Sequence, residues 1–422
     1  MKSPSIFTLL LLLSYCSGYS QNTNSPYSIL GIGDIDNNFY NRTSGMANTG
    51  IAYRNDKAAI NNNPAAYSAL QRQFFVFEIA GRGQFVNYKG TPLNSSSANG
   101  KDFAIKRLSI ATKINKWWGS SAGLMPYSTA SYEFNSVKNI QGTNLTVPVT
   151  YDGTGGVNQV YWGNSVELFK HLSLGVNASY LFGSLTQTES LVTDGLSTTL
   201  TTTRQVFLKN FNFIYGGQYY TALNKRWDLS IGGVYQPSHS LAADATVIVT
   251  DNATQISSTS DDVRSTPFKL PNSSGFGFSI TKDKKYTLSG DYRYQGWTST
   301  NYSGSNFALK NSSRASLGFE VSNKLKNYNS QFEKNFLQAG VYYGTSYLTV
   351  NGQQLKEMGL TLGYGLFRIK SQLGLSTLGV SIGLDVGQRG TTTAGLIKEN
   401  YVNFNIIVSY RDFWRTKGAK YF

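Results

Sequence analysis

From residue 72 to about residue 414 the chain is a succession of segments in which apolar and polar side chains alternate. Phe404, Ile406, Val408 and Tyr410 fall on one side, with Asn403, Asn405 and Ser409 on the other. Leu172, Leu174, Val176, Ala178, Tyr180 and Phe182 alternate with Ser173, Gly175, Asn177, Ser179 and Leu181. A period of two places successive side chains on opposite faces of a strand. The polar faces here hold mostly Gly, Ser, Asn and isolated charges, and the apolar faces end in Tyr, Phe and Trp. That distribution predicts an all-β, membrane-spanning antiparallel barrel with an apolar band outside, aromatic rims and a polar lumen. Fourteen strands are expected near 72–88, 102–115, 118–134, 156–169, 171–187, 204–222, 226–247, 268–281, 285–297, 311–323, 334–348, 353–367, 373–387 and 399–414. Closed bacterial barrels have an even strand number. Several segments exceed the ~9–11 residues that cross a bilayer, so they should project beyond it.

Short and long connections alternate. Asn115, Lys116 and Trp117 form one short turn, and Asn224, Lys225 and Arg226 another. Long loops are expected near 135–155, 187–204, 248–267 and 297–311, all rich in Ser, Thr, Asn and Gly. Short turns belong to the periplasmic side and long loops to the outside. The short-turn windows together with the C-terminal tail hold 17 Lys or Arg in 54 residues, and the long-loop windows hold 8 in 105. This basic excess suits a periplasmic rim beside lipid phosphates, although Lys also simply solubilises tight turns.

Composition narrows the class. Charged residues are 14% of the 422 and aromatics another 14%, with 42 Gly. Soluble domains carry about 25% charged residues, and no run after residue 13 approaches the ~18 apolar residues of a spanning helix. Residues 1–20 read as a signal peptide: Lys2, an apolar core over 6–13, and small residues Gly18 and Ser20 before Gln21. The single Cys, Cys16, lies in this segment behind Tyr15, where a lipoprotein box would have a small residue. The mature chain then has no Cys, and removal of Lys2 leaves 37 basic against 23 acidic residues, a net charge of +14. Localisation in the outer membrane after cleavage follows, with lipid and lipopolysaccharide as surroundings.

Residues 21–71 lack the period of two and are rich in Asn, Ala, Gly and Ile. A barrel of fourteen strands is too wide for its own side chains to fill, since eight already do so. The segment is therefore expected to act as a plug, with 72–414 forming the barrel and 415–422 a basic periplasmic tail. Its run GIAYRNDKAAINNNPAA at 50–66 resembles the N-terminal hatch of the FadL-like transporters of long-chain fatty acids and hydrocarbons. The resemblance places the family's Asn-Pro-Ala motif at Asn63, Pro64 and Ala65, residues that a helix or turn start would also explain.

Pro126 falls within the third strand, after Gly123. Proline cannot donate to a ladder, so pairing should break there and the strand should bend. In the FadL-like family a kink in the third strand opens a lateral hole, which makes Gly123 and Pro126 the candidate gate. Pro237 marks a further bulge, in the seventh strand. Asp291, Arg293, Arg314, Glu320 and Asp385 share the expected lumen face, where they should pair with one another or with the plug.

Catalytic chemistry is not indicated. His171 sits in a short turn, and His239 lies beside Ser238 and Ser240 without a third positioned group. No His pair has metal-ligand spacing, so no metal or cofactor is expected, and no nucleic-acid motif appears. The resemblance implies passive transport of a hydrophobic small molecule with lateral release near Pro126. The alternative is a non-transporting barrel of the same type, serving with protein partners in an outer-membrane secretion or assembly complex. A general porin is disfavoured by the plug.

Overall fold

The computed structural model describes residues 25–414 except 91–98, 140–141, 143–145, 194–197, 252–253, 261–267, 305, 328–329 and 370–375. The expected signal peptide and basic tail lie outside the described residues.

Alternation along each segment becomes a barrel strand. In order these are β1 (Phe74–Lys89), β2 (Asn99–Lys113), β3 (Trp118–Thr129, prolonged by Tyr132–Asn139), β4 (Thr146–Leu168), β5 (Leu172–Thr193), β6 (Thr198–Ala222) and β7 (Trp227–Gln236, prolonged by His239–Asp251). They continue with β8 (Phe268–Leu270 leading into Ser273–Lys282), β9 (Tyr286–Gln295), β10 (Phe307–Leu309 leading into Ser312–Asn327), β11 (Ser330–Val350), β12 (Gln353–Ile369), β13 (Thr377–Gly390) and β14 (Lys398–Phe413). Each pairs antiparallel with its neighbours, and β14 pairs with β1 from Phe413 opposite Phe74 to Lys398 opposite Lys89. Closure joins the first strand to the last, as lipid favours because it cannot satisfy free backbone groups.

The outward faces are apolar. On β12, Met358, Leu360, Leu362, Tyr364 and Leu366 are exposed, Leu360 at 63%. Leu337, Val341 and Tyr343 of β11 and Val380, Ile382 and Val386 of β13 continue the band. A contiguous apolar belt of this kind has no place in water and matches the hydrocarbon layer.

At the short-connection end two of the turns are held by asparagine. Asn224 Oδ1 accepts from the backbone of Arg226 at 2.9 Å and of Trp227 at 3.0 Å, and Asn115 accepts likewise from Trp117 and Trp118. Such Asx turns mimic a backbone turn. Arg226 pairs with Asp283 of the next turn at 2.7 Å, and its hydrogen bonds hold the Asp283 carboxyl below the usual range.

The other end differs from the expectation of long loops. Within 135–155 and 187–204 the described residues 135–139, 146–155, 187–193 and 198–204 are strand, with β4 and β5 paired from Val149 opposite Leu191 down to Leu168 opposite Leu172. Within 248–267, Thr254–Ser260 folds back on the extension of β7. Thr and Val, numerous in these windows, favour extended backbone; their Ser and Thr content imitates loop composition. The expected bulge at Pro237 is a two-residue interruption between Gln236 and His239.

Residues 25–70 lie inside the barrel in three short 3-10 turns: Pro26–Ile29, Arg42–Met46 and Pro64–Ala69. Ser25, Asn41 and Asn63 cap them, each accepting from the backbone N–H two residues on. Above, Tyr27 and Ile32 join Leu241, Leu270, Trp297, Leu348 and Leu355 in a buried apolar cluster, with Trp297 stacked on Tyr347 at 4.6 Å. This cluster fills the mouth at the long-strand end.

Candidate functional site

Asn63, Pro64 and Ala65 sit against the wall at its smallest residues. Asn63 Nδ2 donates to the carbonyls of Ile51 at 2.8 Å and Gly217 at 3.1 Å, while its Oδ1 accepts from Ala65. A Cβ on Gly216 would lie 2.0 Å from Asn63 Oδ1, and one on Gly175 would lie 2.5 Å from the Ala65 nitrogen. The glycines let inner backbone and wall backbone touch.

Farther down, Arg42 ties the inner segment to two strands at once. Its guanidinium donates to both Glu320 oxygens at 3.0 Å and to Glu333 Oε2 at 2.9 Å, and it lies 4.0 Å over the Phe336 ring. Tyr53, Gln338 and Ser322 donate to the same two carboxylates. Every partner is buried. Removing one member of a buried pair strands a charge and costs about 3–5 kcal/mol. A second clamp joins Arg107 to Glu78 at 2.8 Å and to the Ala59 carbonyl at 3.1 Å.

The other lumen candidates take several different roles. Asp291 accepts from the backbone of Gly50 at 2.8 Å and Ile51 at 3.0 Å. Arg293 reaches the Asn62 carbonyl at 3.4 Å and lies over the Phe39 ring. Arg314 pairs with Glu357 at 3.3 Å, and Asp385 accepts from Tyr342 at 2.8 Å and Asn403 at 3.1 Å. Asp291, Arg293 and Glu320 therefore contact the inner segment, while Arg314 and Asp385 bond wall to wall.

Pro126 lies where the wall parts. β2 pairs with β3 only from Leu108 opposite Leu124 to Lys113 opposite Gly119. Among the described residues, 99–107 of β2 pair on one side alone, with β1, whereas β3 stays paired to β4 past Pro126 through a register shift. Gly123 packs just below, where a Cβ would meet the Leu108 carbonyl at 2.5 Å and the Tyr161 ring. The inner segment caps the gap: Asp34 and Ile35 pair with Thr129 and Ser128, and Asp36 N–H donates to the Tyr127 carbonyl. Lys106 is the extra residue of a bulge opposite Ala80 and Gly81, so it turns inward beside Arg107 and lies 3.7 Å from Asp36. Thus an ion pair lies on the inner side of the gap.

Two cavities stand out among the described residues. The upper one, about 260 Å³, has Arg82, Arg293, Arg314, Asp36, Glu357 and Asp385 in its wall, with apolar patches from Ile35, Met125 and Val234. The lower one, about 850 Å³, lies at the short-turn end. His171 is in an exposed turn and bonds the Tyr220 carbonyl at 3.0 Å; His239 is half-buried beside the Pro237 carbonyl. Among the described residues no three His, Cys, Asp or Glu are grouped as metal ligands.

Sequence reasoning missed Arg42, Glu333, Arg107 and Glu78. The signal available for Glu78 was its place on the inward face of β1; Arg107 was masked by the bulge, which puts two adjacent residues inside.

A protein-family model described as BamG matches residues 1–421. The fold is that of the FadL-family barrels. The Pseudomonas putida toluene transporter TodX superposes with a TM-score of 0.56 at 14% identity, covering 88% of this chain and 98% of that one. The CymD monoaromatic hydrocarbon channel gives 0.55 at 14% identity, covering 92% and 98%. A Pseudomonas aeruginosa FadL homologue gives 0.55 at 12%, covering 88% and 98%. No curated protein matches in sequence.

Proposed function

The chain belongs to the BamG family, and from that premise we propose that it is a plugged outer-membrane barrel that passes no solute and holds protein partners in a secretion or assembly complex. The observation that carries this reading is the character of the lumen. Sites for apolar ligands are clefts of about 300–1,000 Å³ lined mainly by apolar groups. Here the upper cavity is smaller, at about 260 Å³, and charged side chains from both the plug and the wall enter it. Opening a path through the lumen would break the Arg42 clamp on Glu320 and Glu333. What such a barrel offers is surface: strand extensions outside and a basic rim at the short turns.

The experiment is purification from native membranes in mild detergent. The reading expects stoichiometric protein partners and no lipid-like ligand. A barrel that emerges alone, with a long-chain compound bound, would reject it.

One observation favours a second reading. The unpaired stretch of β2 beside Pro126 is where an apolar compound would leave sideways, and TodX is a toluene transporter and CymD a monoaromatic hydrocarbon channel. On this reading burial in hydrocarbon, about 0.8 kcal/mol per CH₂, drives release. Uptake of a labelled hydrocarbon that disappears in a folded Pro126→Val variant would establish it.

A further inference from the structure

We propose that the lower cavity is a docking site for an acidic, extended polypeptide segment of a periplasmic partner; this rests on the reading of the protein as a partner-holding barrel. The cavity measures about 850 Å³ and opens at the short-turn end. Its cations come from separate parts of the fold: Arg54 and Lys57 from the plug, Lys170 and Lys284 from two turns, and Lys324 from the end of β10. Among the described residues none of the four lysines has an ion-pair partner. Elsewhere in the same cavity Lys113 meets Glu167 at 3.1 Å, and Arg42 lies between Glu320 and Glu333, a buried cluster with one surplus negative charge. Among the described residues Asp56, Asp228 and that one surplus carboxylate stand against these five cations, which leaves an excess of two positive charges. Like charges held together by a fold repel one another, and an anion placed among them removes that repulsion.

Geometry selects the kind of anion. The cavity is bounded by inward faces of the wall and by the plug, so a lipid headgroup anchored in the surrounding leaflet does not reach it. A single small anion fills little of the space, since even a water takes about 30 Å³. The cations are distributed around the mouth, which suits a chain carrying several carboxylates. Arg54 is already fixed, stacked 3.8 Å over Tyr220 and bonded to Gln218 at 2.9 Å, so little ordering remains on binding. An occupant would bridge plug and wall and stabilise both.

The test uses the full chain in detergent micelles. A fluorescein-labelled oligoglutamate peptide is titrated against an oligo(Gly-Ser) peptide of equal length and against inorganic phosphate. The glutamate peptide should bind saturably, weaken as salt rises and raise the unfolding temperature. Combining Lys57→Gln, Lys284→Gln and Lys324→Gln should weaken it about tenfold or more. Lys116→Gln, Lys225→Gln and Lys282→Gln together remove the same charge from turn positions outside the cavity and should change affinity by less than about twofold. Equal losses in both triple variants, phosphate binding as tight as the peptide, or no saturable peptide binding would overturn the proposal. The partner-holding reading is judged separately by co-purification. Partners retained by the cavity variant refute the docking site alone, and a wild-type barrel that recovers no partner refutes the reading itself.

Discussion

Arg42 and Glu320 are separated by 278 positions in sequence and meet in a two-pronged ion pair at 3.0 Å inside the barrel. One residue belongs to a segment with no strand pattern and the other to the polar face of β10. Their contact fixes the plug to the wall through buried charge.

Replacing Arg42 with Ala leaves Glu320 and Glu333 buried with only neutral donors. The expected loss is about 3–5 kcal/mol, read as a lower temperature for the heat-induced gel-mobility shift of the folded barrel. The triple variant Arg42→Met, Glu320→Gln and Glu333→Gln removes all three charges and should recover most of that loss.

Gly175→Val places methyl groups against the Ala65 backbone, where even a Cβ would stand 2.5 Å away. Overpacking of this kind costs about 1–3 kcal/mol. The barrel should still form, with the plug displaced and cut faster by trypsin, for example after Arg54 or Lys57. An unchanged digestion pattern would show that the wall yields instead.

At the gap, Asp36→Asn leaves Lys106 buried without its carboxylate, and the Asp34 and Ile35 pairing to β3 should loosen. Hydrogen exchange at 34–36 and 127–129 should accelerate about tenfold or more, with the remainder of β3 unaffected.

Pro126→Val restores a backbone donor in β3. On the partner-holding account folding and co-purified proteins stay the same. Loss of labelled hydrocarbon uptake in this variant would favour lateral release.

The barrel was legible because one face of every strand meets lipid and the other a wet lumen, so periodicity alone marks Leu288 as outward and Asp291 as inward. The outer extensions were not legible: outside the bilayer both faces of β5 meet water, and Ser190 or Thr201 gives no contrast between sides. The clamps were hidden for a different reason. Arg42 and Glu333 come together only through closure of the barrel around an aperiodic segment, and Lys106 and Arg107 both point inward because a bulge breaks the period at that point. Pro126 was readable since its missing donor acts locally, whatever the partner strand.

A lumen sealed by ion pairs between plug and wall carries no ions. Current across planar bilayers containing the purified wild-type chain tests this most directly. A sealed lumen gives no steady conductance from the wild type and channel openings once Arg42 is replaced by Ala; stable ohmic steps from the wild-type barrel would show that ions pass the plug.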